Sequence, residues 1–367
     1  MELSNFIRRS GLAIMALVLS AALLPACGGD SNKEASSQPT RTADVLGVSG
    51  QSDVADPAER GPYPVGVTEL VFERASTTTG QPRVLKTLVW YPAAESARNA
   101  EEHQSSKGVV DAPLAATAEP LPIILFSHGS GGIPWQSTFL TPHLASHGFV
   151  VVAPPHPGNT AADCFPCTDP AGMMDAFFNR PPDMLFVLDS MMALANDPSS
   201  MFYRALDAGR VGISGHSFGG LDTQELAANS SDRFIAALTM APPAGDNIPA
   251  IMTDIDIPIM VMGGERDNVC PIEGQRAYFD ALATDIDRFL VVFPRGGHLA
   301  YSDICIPALA GCNADDLDQE KAHRLINYYA TAFLKTYVAL DDGYAQYLDP
   351  AKLAGDPDVE YTAVLAP

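Results

Sequence analysis

Basic residues are scarce in this chain: 22 Lys and Arg stand against 44 Asp and Glu, a formal net charge of −22 over 367 residues. Such a surface repels nucleic acid and anionic lipid, so a polynucleotide-binding role is excluded. Metal signatures are missing as well. There is no H-E-x-x-H, and His156 stands isolated. The one C-x-x-C, Cys164-Phe165-Pro166-Cys167, lies outside any thioredoxin-like unit. No metal and no cofactor are expected. Neither G-x-x-x-x-G-K-[ST] nor G-x-G-x-x-G occurs, so the glycine-rich segments are not nucleotide cradles. No internal repeat is visible.

A comfortable membrane-spanning run is also lacking. The apolar stretch Gly11 to Leu24 follows the basic pair Arg8-Arg9 and is too short to span, but it fits a secretory signal. It ends at Leu24-Pro25-Ala26-Cys27-Gly28, which resembles a bacterial lipobox. The expectation is a signal peptide over 1–26 and a lipid on Cys27, placing the protein in the cell envelope. Simple cleavage to a secreted form is the alternative, because Pro25 is unusual at its position. Residues 27–61, rich in Ser, Asp, Gln and Thr, read as a flexible tether.

What is present is a nucleophile elbow. The apolar strand Arg210-Val211-Gly212-Ile213-Ser214 runs into Gly215-His216-Ser217-Phe218-Gly219-Gly220. A G-x-S-x-G between a strand and a helix places Ser217 on a sharp, strained turn. Gly215 and Gly219 flank it because a Cβ there would collide where strand and helix pass closely. The helix start also aims backbone N–H groups at the place where negative charge develops. An ordinary Gly/Ser loop is the bland alternative, disfavoured by the strand before and the helix after.

Two further segments follow in the order Ser, acid, His. After the strand Ile257–Met262 comes Gly263-Gly264-Glu265-Arg266-Asp267, and after the strand Arg288–Phe293 comes Gly296-Gly297-His298. His298 is the only one of eight histidines just past the last expected strand. Asp267 is favoured over Glu265 as its orienting acid, although a turn residue before Asn268 would look the same. The strand Leu121–Ser127 ends in His128-Gly129-Ser130-Gly131-Gly132, a loop able to bring backbone amides close to a substrate. The amides of Ser130 and Phe218 are the candidate oxyanion donors.

With these pieces the chain resembles the α/β-hydrolases of the platelet-activating-factor acetylhydrolase and dienelactone-hydrolase-like group. The resemblance rests on Phe126-Ser127-His128-Gly129, Leu144–Val150 and Gly215–Gly220, with Arg180-Pro181-Pro182-Asp183 and Phe186-Val187-Leu188-Asp189 added, and covers roughly residues 65 to 340. It implies Ser217 as nucleophile, Asp267 as acid, His298 as base, and Ser130 with Phe218 as oxyanion donors. The expected reaction is ester hydrolysis through an acyl-enzyme, on a small ester, a lipid or a polyester. Amide cleavage is a further variant. The rival from another class is a non-catalytic surface-binding lipoprotein. A monomer is expected.

The expected fold is α/β: a mostly parallel central sheet flanked by helices, with no large cap domain. The catalytic domain is set at 62–340 and a C-terminal extension at 341–367. Val67 to Arg74 and Val84 to Tyr91 read as edge strands, and Ala93 to Glu119 as an exposed insertion or a polar helix. Helices are expected over Phe139–His147, Asp183–Asn196, Leu221–Asn229, Ile272–Ala283 and Asp316–Val338. The stretch from Ala241 to Asp256 is too short for a cap, so the site should be open. Its walls would come from a loop, Pro154 to Pro182, through Phe165, Met173, Met174, Phe177 and Phe178, although packing is the alternative for each. Gly129, Gly131 and His216 complete the candidate substrate contacts. After Cys27, the cysteines Cys164, Cys167, Cys270, Cys305 and Cys312 form an odd set. One pairing joins Cys270 to Cys305 or Cys312 across the acid and base loops. The other joins Cys164 or Cys167 to Cys305 or Cys312 and leaves Cys270 free.

Overall fold

The central strands are near-continuous apolar runs, and in the computed structural model four of them are buried along their whole length. β4 (Leu121–Ser127), β5 (Val150–Ala153), β7 (Ala236–Met240) and β8 (Ile259–Gly264) have no exposed position. Strands buried on both faces belong to a parallel sheet covered by helices. The structure describes residues 54–164, 169–243, 252–306, 311–353 and 356–367. The expected signal, Cys27 and most of the tether lie outside them, as do Phe165 and Cys167.

Among the described residues, ten strands form one sheet in the order β10-β9-β8-β7-β6-β4-β5-β2-β1-β3. The other strands are β1 (Val65–Ala75), β2 (Pro82–Pro92), β3 (Val109–Val110), β6 (Leu206–His216), β9 (Arg288–Phe293) and β10 (Glu360–Val364). The run from β9 to β5 is parallel, while β2 and β10 pair antiparallel with β5 and β9. This is the layout expected from the sequence.

Alternation along the strands feeds two cores. Ile123, Leu125, Val150 and Val152 face α2 (Pro170–Asn196), α3 (Phe218–Asn229) and α4 (Ile272–Ala281). Ile124, Phe126 and Val151 face α1 (Thr141–Ser146) and α5 (Gln319–Tyr337). Each fully buried aliphatic or aromatic side chain contributes about 1.5–3 kcal/mol.

Several expectations are corrected. β2 lies inside the sheet between β5 and β1 rather than at its edge, because β3 and β1 cover that side. The stretch after Ala93 is partly built into the sheet: Val109 and Val110 form β3, parallel to β1. The expected wall loop is largely helix. α2 begins at Pro170, capped by Asp169 Oδ1 accepting Ala171 N–H at 3.1 Å, and runs on through Pro181 and Pro182. Those prolines lack the N–H groups that the Phe177 and Phe178 carbonyls would accept. Long-range ion pairs hold the helix there. Asp183 binds Arg74 and Arg83, at 2.5 and 2.6 Å, and Asp175 binds Arg83 at 2.7 Å. Residues 360–364, read from sequence as part of an extension, form the outermost strand of the same sheet.

Candidate active site

The chain order reverses beside β4: β5 lies on one side and β6 on the other, so the loops after β4 and β6 diverge there and leave a crevice. Ser217 stands at the C-terminal end of β6, with φ 56° and ψ −120°. A positive φ is unfavourable for serine, and the surroundings enforce it. Its N–H donates to the Met240 carbonyl at 2.9 Å. A Cβ built on Gly215 would lie 2.1 Å from the Gly219 carbonyl oxygen, and one on Gly219 would lie 1.9 Å from that of Ser127. Only glycine fits either position.

Asp267 and His298 converge on Ser217 from the loops after β8 and β9. His298 Nε2 lies 2.9 Å from Ser217 Oγ, and Nδ1 lies 2.8 Å from Asp267 Oδ2. Asp267 keeps its other oxygen for the N–H groups of Val269 (2.8 Å) and Cys270 (2.7 Å). A carboxylate at Nδ1 fixes the proton on that nitrogen and leaves Nε2 to accept the serine proton. Glu265 instead pairs with Arg276 at the surface, 3.2 Å away.

The glycine loop after β4 lies against the elbow. A Cβ on Gly129 would meet that of Ser217 at 3.3 Å. The Gly129 N–H is committed to Gln136 Oε1 at 3.0 Å, so the next amide along the loop belongs to Ser130. Gly131 has φ +66° and donates its N–H to the Asn159 carbonyl at 3.1 Å. His216, expected as a substrate contact, is buried, and both its nitrogens bond to protein: Nδ1 to Gln136 Nε2 (3.0 Å) and Nε2 to the His298 carbonyl (2.9 Å). Burial, then the neighbouring His298, hold its pKa well below the ordinary value, so it is neutral.

Aromatic surface lies beside the elbow. The Phe177 ring stacks on Phe218 at 5.7 Å and meets Phe178 edge-on at 5.2 Å, and Phe178 is 41% exposed. Met173 lies one helical turn before Phe177 and is half-buried. Trp135, 40% exposed on the loop between Gly132 and Gln136, was not singled out from sequence. Nor were Gln136 and Asn159, whose value depends on partners distant in sequence.

The cross-loop disulfide does not form. Cys305 pairs with Cys312, seven residues on, so neither is available to Cys270 or to Cys164 and Cys167. Cys270 is a buried free thiol. Burial, then the nearby Asp267 charge, push it well above the usual thiol range, against a hydrogen bond with Ser217. Cys164 is buried and accepts a 3.5 Å contact from Asn159 Nδ2. The described residues contain no cluster of three or more His, Cys, Asp or Glu side chains that could hold a metal ion.

Fold and elbow together define the class: this is an α/β-hydrolase. Residues 113–362 match the model of the PET hydrolase-like family, and the chain belongs to that family. Similar curated proteins include Cutinase est1 of Thermobifida alba, 26% identical over 233 residues, 63% of this chain and 66% of that one. A cutinase of Thermobifida fusca (strain YX) is 22% identical over 320 residues, 86% of this chain and 87% of that one. The bis(hydroxyethyl) terephthalate hydrolase of Streptomyces coelicolor is 24% identical over 244 residues, 66% of each. The match spans just under two thirds of the Thermobifida alba protein and 61% of Thermobifida fusca Cutinase cut1. The family model bears out the α/β-hydrolase superfamily and names the PET hydrolase-like family where the motifs resembled the platelet-activating-factor acetylhydrolase and dienelactone-hydrolase-like group.

Proposed function

We propose that the protein is a serine hydrolase of carboxylic esters, acting through an acyl-enzyme on Ser217. The observation that carries this is the hydrogen-bonded series Ser217–His298–Asp267 at an elbow. His298 Nε2 takes the Ser217 proton as Oγ attacks the ester carbonyl carbon. The amides of Ser130 and Phe218 receive the oxyanion, a preorganised charge-stabilising arrangement of the kind that gives most of the rate. Collapse expels the alcohol, which takes the proton from His298. Water, activated by His298, then releases the acid. Asp267 holds the imidazole orientation and balances its charge while it is protonated.

The substrate read here is a bulky neutral ester, with polyester segments foremost. Phe178 and Trp135 present apolar aromatic surface, the net charge disfavours anionic substrates, and named relatives include cutinases and a terephthalate-ester hydrolase. A phospholipid acyl ester is the second reading, favoured only by the expected envelope location. The purified protein should take up a fluorophosphonate probe, and Ser217→Ala should not. Ser217→Ala should also lose ester hydrolysis by roughly 10⁴-fold or more. Hydrolysis retained by Ser217→Ala overturns the proposal. Acid release from a polyester film, compared with a phospholipid and a p-nitrophenyl ester series, separates the substrate readings.

Export belongs to the same proposal. Residues 1–26 act as signal, Cys27 carries the acyl anchor, and 27–61 tether a monomeric catalytic domain at the cell envelope. Cys27→Ser should release the protein from the detergent phase, and unchanged partitioning would leave only secretion.

A further inference from the structure

α2 carries a charge into the floor of the site that the reaction above does not use. Arg180 has no solvent exposure, yet its guanidinium reaches both walls of the proposed oxyanion hole. Toward β4, Nη2 donates to the His128 carbonyl oxygen and to Ser127 Oγ at 3.1 Å. Nη1 donates to Asn159 Oδ1 at 2.8 Å, and Asn159 passes the restraint on. Its Nδ2 donates to Ser130 Oγ at 2.9 Å, and its carbonyl accepts the Gly131 N–H at 3.1 Å. Toward α3, the guanidinium carbon lies 4.5 Å from the centroid of the Phe218 ring.

The charge itself is answered by Asp222, one helical turn after Phe218. Nε donates to its Oδ2 at 2.7 Å, and Ser127 Oγ–H donates to the same oxygen at 2.7 Å. A buried charge is tolerated only when so paired. What the remaining N–H groups add is direction. A guanidinium is a planar fork of five fixed donors, whereas an ammonium is a point with three rotatable ones. The loop it grips needs such a clamp, because Gly129, Gly131 and Gly132 leave its backbone permissive. Oxyanion donors must stand near 3 Å from the developing charge, and a 1 Å displacement costs on the order of 100-fold in rate.

We infer that Arg180 is a positioning residue of the oxyanion hole, clamping the loop that bears the Ser130 amide and the Phe218 side chain in one geometry without touching substrate. The inference rests on the ester-hydrolase reading of the site. It assigns to the α2 arginine a role in the chemical step in addition to anchoring the helix.

Arg180→Lys keeps the charge and removes the fork. With a soluble p-nitrophenyl ester, kcat should fall roughly 10- to 100-fold, with KM within about threefold of wild type. Affinity for a trifluoromethyl ketone should fall by the same factor as kcat/KM, because its hemiketal oxyanion needs the same two amides. The acidic limb of the pH profile should not move, since Ser217, His298 and Asp267 are untouched. A folded Arg180→Lys enzyme with wild-type kcat and ketone affinity overturns the inference, and so does a kcat loss without the ketone loss. Should this variant fail to fold, Asn159→Ala carries the test by cutting the link to Ser130. The paired loss is again expected, and unchanged kcat and ketone affinity again overturn the inference. Ser217→Ala separates the two levels. If it still hydrolyses the ester, the reading of the site fails. If it is inert while folded Arg180→Lys and Asn159→Ala match wild type, only the clamp fails.

Discussion

His216 Nε2 donates to the backbone carbonyl oxygen of His298 at 2.9 Å, so the residue before Ser217 holds the peptide of His298. Gln136 sets the tautomer. Its Oε1 accepts the Gly129 N–H, leaving Nε2 to donate to His216 Nδ1, so the imidazole proton lies on Nε2. One amide side chain ties the loops after β4, β6 and β9 together.

Gln136→Leu therefore strands two buried groups, the Gly129 N–H and His216 Nδ1. Each unsatisfied group costs about 1–3 kcal/mol. Urea unfolding should show a loss of about 2–6 kcal/mol for the two groups together, and the ester assay a lower kcat with KM little changed. Unchanged stability would mean that the loops are held elsewhere.

Stability should fall as the pH drops below about 6.5, the ordinary histidine value. Burial, then His147, lower His143 to about 3, and burial, then Lys335, lower His147 to about 4. Folded, both stay neutral and donate Nε2–H to the Pro57 and Glu59 carbonyls at 2.9 and 2.8 Å. The unfolded chain binds their protons first, so their contribution is complete above about 6.5 and erodes toward 4. Glu225 works in the opposite direction. Burial, then Asp222, raise it to about 7, so below 7 it takes its proton first in the folded state. Tm measured across pH 7.5 to 4.5 should decline, and His143→Gln/His147→Gln should flatten that decline. Parallel curves for variant and parent would contradict this assignment.

The Cys305–Cys312 bridge joins cysteines seven residues apart, soon after His298 in the chain, so its loss should cost about 2 kcal/mol by loop-closure entropy. Cys305→Ser/Cys312→Ser is expected to lower Tm while keeping ester hydrolysis. Cys270 should resist alkylation until the protein unfolds, because it is buried and its thiolate is disfavoured. Rapid labelling of the native protein at Cys270 would refute that.

Gly219→Ala puts a methyl group against the Ser127 carbonyl, where backbone must shift. A loss of about 3 kcal/mol is expected, together with loss of activity out of proportion to stability. A normal Tm would show that strand and helix can separate at the elbow.

The elbow was legible because its constraint is local: Gly215, Ser217 and Gly219 encode one turn within five residues. Asp267 and His298 were legible because each follows an apolar strand in chain order. Only the second half of α2, Asp183–Asn196, was legible. Pro181 and Pro182 marked the end of the expected loop, while the partners that carry the helix through them, Arg74 and Arg83, lie about a hundred residues earlier. Gln136 and Asn159 have no sequence signature either, since a lone amide gains meaning only from the loops that fold onto it. The cysteine pairing failed in the other direction. Convergence of the acid and base loops suggested a bridge between them, and the bond formed within a single loop.

Strand β10 has a consequence for truncation. It covers β9 in register from Glu360 opposite Val292 to Val364 opposite Arg288, although the loop carrying His298 and α5 lie between them in the chain. Without it, the sheet would end on the bare outer edge of Arg-Phe-Leu-Val-Val-Phe, an apolar strand that invites pairing with other chains. A chain cut before residue 360 should therefore self-associate through that edge, although it keeps every residue of the Ser217–Asp267–His298 series.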